Sequence, residues 1–255
     1  MKKCKLLLTA LFVLMITGSI ALAQQNVARK PLSPEEIEVM KKSQAERLRN
    51  DFAGLARYQE DNVKIGLPAP GENRVVFIGD SITDGWSRFD PSSFAGKPWI
   101  NRGYSGQTTP QMLIRFRADV IKLKPAVVVI LAGINDIAGN TGPSTLTMIE
   151  DNLASMVDLA KANGIHVVLS SVLPAYDFPW NPGSKPAEKV VQLNAWIKEY
   201  AEAHGVIYLD YFTPMADEKH AMKAEYTVDG VHPNITGYKV MDSLVEPAIQ
   251  KALAK

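Results

Sequence analysis

The sequence predicts an α/β three-layer sandwich, in which helices cover both faces of a parallel sheet. Three observations carry this. From Arg74 onward, short β-branched runs alternate with longer stretches of helical periodicity. The runs are apolar at consecutive positions, as strands buried on both faces must be. Gly164 and Gly205 follow two of the helical stretches closely, where a left-handed residue ends a helix.

A chain of 255 residues can bury one sizeable core, so one main domain is expected. A single cysteine cannot build a disulfide framework or a thiolate zinc cluster. With 28 Lys and Arg against 27 Asp and Glu, the chain offers no general basic footprint, which disfavours nucleic acid as a partner.

Residues 1–23 read as a cleaved export signal. Lys2, Lys3 and Lys5 precede the apolar run Leu6 to Ile16, and Ala21 and Ala23 supply the small residues a signal peptidase reads. The alternative is an uncleaved anchor, but the run is shorter than the ~20 residues a spanning helix needs. Cys4 precedes the apolar run rather than following it, which disfavours lipidation. Cleavage after Ala23 leaves an exported chain, periplasmic or extracellular, with no stable membrane span.

Residues 24–72 read as an N-terminal helix and linker. Ser33, Pro34 and Glu36 form a cap, an N1 proline and a capping-box glutamate. The helix is expected to continue through Met40, Leu48, Phe52 and Leu55 to about Asn62, until Gly66 to Gly71 stops it. It packs on the main domain or serves as a partner-binding arm; its apolar spacing suits both.

Residues 73–255 form the main domain. Strands are expected at Val75 to Ile78, Trp99 to Asn101, Val127 to Leu131, Val167 to Leu169 and Val206 to Leu209. Helices are expected near Pro110 to Leu123, Leu146 to Asn163, Pro186 to His204 and Thr236 to Ala254. In such sheets the working loops gather at the carboxyl ends of the strands.

Four segments there carry chemistry. The first strand runs into Gly79-Asp80-Ser81-Ile82-Thr83, which puts Ser81 on a strand-to-helix turn as a candidate nucleophile or a simple helix cap. Thr83 stands where the Gly-x-Ser-x-Gly elbow would need its second glycine. After the second strand, Gly106 can bring its backbone amide close to a ligand. Asn135, in Gly133-Ile134-Asn135-Asp136, offers a neutral amide donor beside the same sheet edge, or a turn-forming pair with Asp136. Asp229 stands three residues before His232, close enough to orient one ring nitrogen and leave the other toward the serine. His166, His204 and His220 read as surface residues.

Together, in this order, the four segments resemble the SGNH hydrolase family, also called GDSL esterases and lipases, from about Val75 to Tyr238. The resemblance implies a flavodoxin-like five-stranded parallel sheet. It implies Ser81 as nucleophile and first oxyanion donor, Gly106 and Asn135 as second and third donors, and His232 as a base oriented by Asp229. No cofactor or metal is implied. Ile82 departs from the leucine in the family's common name.

The activity implied is hydrolysis of short acyl esters on a small molecule or glycan, with O-acetylated carbohydrate expected from export. Trp86, Tyr104, Tyr176 and Trp180 are the candidate substrate-binding residues. Lysophospholipids or other lipid esters and thioesters are the alternative substrates. Two rivals of other classes stand beside this. A metallophosphoesterase could use Asp80, Asp84, Asn135 and His232, although no Asp-x-His pair or His-Glu-x-x-His is present. An inactive member of the same fold could bind glycans through its aromatic loop.

Overall fold

The computed structural model describes residues 33–255, so the export signal lies outside the described residues. Helix α1 spans Pro34–Asn50. Its start is the expected capping box: the Ser33 amide donates to Glu36 Oε2 (2.7 Å) and the Glu36 amide to Ser33 Oγ (3.2 Å).

The expected single helix to Asn62 is instead broken at Asp51, and α2 follows at Gln59–Ile65. Both Asp51 carboxylate oxygens accept amides one turn on, from Leu55 and Ala56 (each 2.9 Å). Gly54 takes φ +65°, which ends helical geometry. The residues between the two helices then pack on the sheet's carboxyl edge.

The sheet contains β1 (Val75–Gly79), β2 (Trp99–Gly103), β3 (Val127–Leu131), β4 (His166–Ser170) and β5 (Ile207–Leu209). All pairings are parallel, in the order β2-β1-β3-β4-β5. Alternate residues serve opposite faces, so each strand feeds two cores. On one face Val76, Ile78, Val128, Ile130, Val167 and Leu169 meet helices α4 (Thr109–Asp119), α6 (Leu146–Ala162) and α7 (Ala187–His204). On the other, Val75, Phe77, Val127, Val129 and Leu131 meet α3 (Ser81–Phe89) and α9 (Ile235–Leu253). Two short helices complete the set, α5 (Ile134–Ile137) and α8 (Phe212–Met215).

Because β1 connects outward to β2 while β3 lies on its other side, the chain reverses direction across the sheet between β1 and β3. That reversal opens a crevice at the carboxyl ends of these two strands.

Under the crevice lies a buried ion pair. Arg115 Nη1 meets Asp119 Oδ2 at 3.1 Å, with both side chains shut off from solvent. Asn62 Nδ2 donates to the other Asp119 oxygen (2.7 Å), so the N-terminal segment is tied into the same network. Removing one member of such a pair strands a buried charge. Asp119→Asn is expected to destabilise the fold by about 3–5 kcal/mol. Thermal denaturation checks this; an unchanged Tm would show that Arg115 is satisfied without its partner.

Candidate active site

Strand β1 delivers the chain to Asp80, whose Oδ1 caps α3 by accepting the Ile82 amide (2.9 Å). Asp80, and not Ser81, is therefore the cap. Ser81 becomes the first helical residue, and its N–H has no carbonyl one turn earlier to bond.

Ser81 Oγ lies 2.9 Å from His232 Nε2, although the two are 151 positions apart. On the far side of the ring, His232 Nδ1 meets Asp229 Oδ2 at 2.8 Å. Asp229 Oδ1 also accepts the backbone amides of Val231 (3.1 Å) and His232 (2.8 Å). Burial pushes the Asp229 carboxyl up, but the hydrogen bonds from the ring and the two amides outweigh it and hold the group below its ordinary value. An ionised Asp229 assigns the proton to Nδ1 and turns the Nε2 lone pair toward the serine.

The turn carrying this pair is closed on itself. Thr227 Oγ1 donates to the His232 carbonyl (2.8 Å) and accepts the Gly230 amide (2.9 Å). Asn234 then caps α9 by accepting the Gly237 amide (3.0 Å). A Cβ on Gly237 would fall 2.2 Å from the Tyr226 carbonyl oxygen, so only glycine lets the helix approach the turn this closely.

Across the crevice, Gly106 sits at φ +83° in the loop after β2. Asn135, on α5 at the end of β3, is buried. One amide hydrogen of Asn135 goes to the Gln107 carbonyl (3.0 Å), which leaves the other for a ligand. Asn140, which the sequence alone did not single out, donates to both Asn135 Oδ1 (2.9 Å) and the Gly106 carbonyl (3.2 Å). It fixes which end of the Asn135 amide faces the crevice.

Two buried carboxyls flank the site. Asp136 accepts the Thr109 amide (2.9 Å) and hydroxyl (2.6 Å), joining α5 to the start of α4. Burial pushes Asp136 up to about 6, and it pushes Asp80, whose Oδ2 has no hydrogen-bond partner among the described residues, to about 6 as well. Asp84, a ligand in the metal alternative, is instead paired with Arg57 (2.8 Å).

The aromatic candidates divide. Trp180 stacks on Phe178 (centroids 5.1 Å) and stands 5.9 Å from the His232 ring. Tyr176, on the same loop, is about half exposed. Tyr104 lines a surface groove of about 250 Å³ with Ser43, Glu46, Asn50 and Asp51. Trp86 must be corrected. It lies one turn beyond Ile82 on the face of α3 that meets the sheet, is 1% exposed, and packs on Phe77 and Tyr238 at 5.7 and 5.8 Å. It belongs to the core and not to a substrate surface.

Comparison with known proteins adds identity to this geometry. Residues 77–240 match the model of the GDSL-like lipase/acylhydrolase family, well over half of the chain. The chain belongs to that family. Membership places it among the carboxylic ester hydrolases.

A GDSL-like lipase structure from Bacteroides thetaiotaomicron is 48% identical, with a TM-score of 0.77 over 79% of this chain and 100% of that one. An acetylxylan esterase of Xylanibacter ruminicola is 28% identical over 224 residues, 72% of this chain but 45% of that protein. This acylhydrolase therefore spans under half of that relative's length. Esterase TesA of Pseudomonas aeruginosa is 25% identical over 70% of this chain and 89% of its own. Among the described residues no helix is long and apolar enough to cross a membrane.

Proposed function

We propose that this acylhydrolase is a serine esterase that removes short acyl groups, acetyl above all, from carbohydrate. The observation that carries the reading is the unbroken line Ser81 Oγ, His232 ring, Asp229 carboxylate, with contacts of 2.9 and 2.8 Å at the crevice.

His232 Nε2 takes the proton as Ser81 Oγ attacks the ester carbonyl carbon, and the carbonyl π electrons move onto oxygen. That oxyanion is held by the Ser81 amide, the Gly106 amide and Asn135 Nδ2. Its collapse expels the alcohol, which takes the proton from His232. Water, deprotonated by the same imidazole, then attacks the acyl-enzyme and releases the acid. Asp229 holds the ring in the working tautomer throughout.

Losing one oxyanion donor costs about 10²–10³ in turnover. Asn135→Ala is expected to show that loss in kcat, with little change in KM, since the donor acts on charge that develops only during attack. A fall confined to KM would make Asn135 a substrate-binding group instead.

The substrate class is supported by export of the mature chain, by the acetylxylan esterase among its relatives, and by Trp180 and Tyr176 on one loop beside His232. Aromatic faces of this kind stack on sugar rings. The test is a screen of acetylated oligosaccharides against p-nitrophenyl esters of rising chain length. Acetyl esters are expected to react fastest. Faster hydrolysis of a long-chain phospholipid would replace carbohydrate with lipid, and failure of a fluorophosphonate to label Ser81 would favour an inactive binding module.

The export reading rests on residues 1–23 and places the mature enzyme in the periplasm or outside the cell. Amino-terminal sequencing of the secreted form should begin after Ala23.

A further inference from the structure

Residues 52–57 lie outside the span that matches the family model, yet they reach both neighbours of Gly106. On one side, Ser105 donates through its hydroxyl (2.6 Å) and its amide (3.3 Å) to Asp84 Oδ2. The other Asp84 oxygen accepts from Arg57 Nη2 (2.8 Å). On the other side, Gln107 Nε2 donates to the Ala53 carbonyl (2.7 Å), while the Gln107 carbonyl is the acceptor that fixes Asn135.

The preceding residue is held as well. The Arg57 guanidinium lies 4.6 Å from the centre of the Tyr104 ring, a cation–π separation. Gly54 lies against the ring so closely that a Cβ there would fall 2.0 Å from Tyr104 Cε1. One turn further into the domain, Gln111 Nε2 donates to the Phe52 carbonyl (2.6 Å).

Tyr104, Ser105 and Gln107 are thus anchored to one stretch of six residues, and the residue between the anchors is Gly106. A glycine at positive φ has wide backbone freedom, so its amide direction has to be set by what holds its neighbours. We infer that residues 52–57 position the oxyanion loop, with Arg57, Asp84 and Gln107 as positioning residues that act through the Gly106 amide and the Asn135 side chain. The inference rests on the proposed roles of Gly106 and Asn135. It makes the N-terminal segment part of the working enzyme rather than a detachable appendage or a partner-binding arm.

The test uses the full chain with p-nitrophenyl acetate and a fluorophosphonate, on Arg57→Met, Arg57→Lys and Gly54→Ala, with Tm measured for each. Arg57→Met is expected to lower kcat at least tenfold, toward the ~10²-fold that a displacement of about 1 Å costs, while KM stays within about twofold. Phosphonylation of Ser81 should slow by the same factor, because the phosphonyl oxygen uses the same donors. Arg57→Lys, which keeps a cation for Asp84, should recover part of kcat. Gly54→Ala should behave like Arg57→Met; if it fails to fold, Arg57→Met decides alone.

A folded Arg57→Met protein with unchanged kcat, or with a raised KM in place of a lowered kcat, overturns the inference and leaves the esterase reading standing. A wild-type protein without Ser81-dependent hydrolysis overturns both.

Discussion

Ser81→Ala is expected to lower kcat by about 10⁶-fold, the loss that follows removal of the serine from an intact triad. In the proposed mechanism the hydroxyl is the atom that forms the bond to the acyl carbon, and the neighbouring donors cannot substitute for it. The fold should survive, because the side chain's hydrogen bond is with the partly exposed His232 and is worth about 1 kcal/mol. Steady-state assays on p-nitrophenyl acetate and a thermal melt check both halves. Substantial activity in a folded Ser81→Ala protein would mean that another group attacks the ester.

The second large effect is expected at Asp229→Asn, a loss of about 10⁴-fold in kcat. Asparagine preserves the shape and keeps an oxygen for the Val231 and His232 amides, so the turn should stay closed. Its NH2, however, donates where the carboxylate accepts, which forces the ring proton onto Nε2 and blocks proton uptake from Ser81.

The pH dependence follows the same geometry. Asp229 is held below the ordinary carboxylate range, so it stays ionised further into acid than a free carboxyl. A depressed native carboxyl contributes stability above its unfolded value of about 3.9, and the contribution is lost as pH falls through the lower native value. Urea midpoints across this acid range should therefore fall less steeply in Asp229→Asn than in the wild type. Parallel curves would show that the Asp229 carboxylate adds nothing to folding.

Most of the sheet is legible in the sequence because two-sided burial leaves a local trace. Val127 to Leu131 has no polar position on either face, and its ends match the structure residue for residue. The four motif segments are equally visible: three directly follow β1, β2 and β3, whose ends share one edge, and the fourth carries its carboxylate and imidazole three residues apart in the loop before α9.

What escapes is decided by distant partners. Leu48, Phe52 and Leu55 keep helical spacing across Asp51, and the break there depends on where the carbonyls of Phe52 and Ala53 are received, by Gln111 and Gln107. Asn140 sits in an ordinary Gly-Asn-Thr-Gly turn and gains meaning only from Gly106 and Asn135 opposite it. Trp86 is different, because the signal was available. Ile82 and Trp86 stand four apart on α3, and residues at that spacing share the inward face.

The imidazole and its carboxylate are three residues apart in a loop stitched by Thr227, whereas the Ser81 hydroxyl stands at the start of α3. The two accordingly travel as a single unit. A displacement of this loop would part the pair from Ser81 together, so in the proposed mechanism activity would be lost while the His232–Asp229 contact persists.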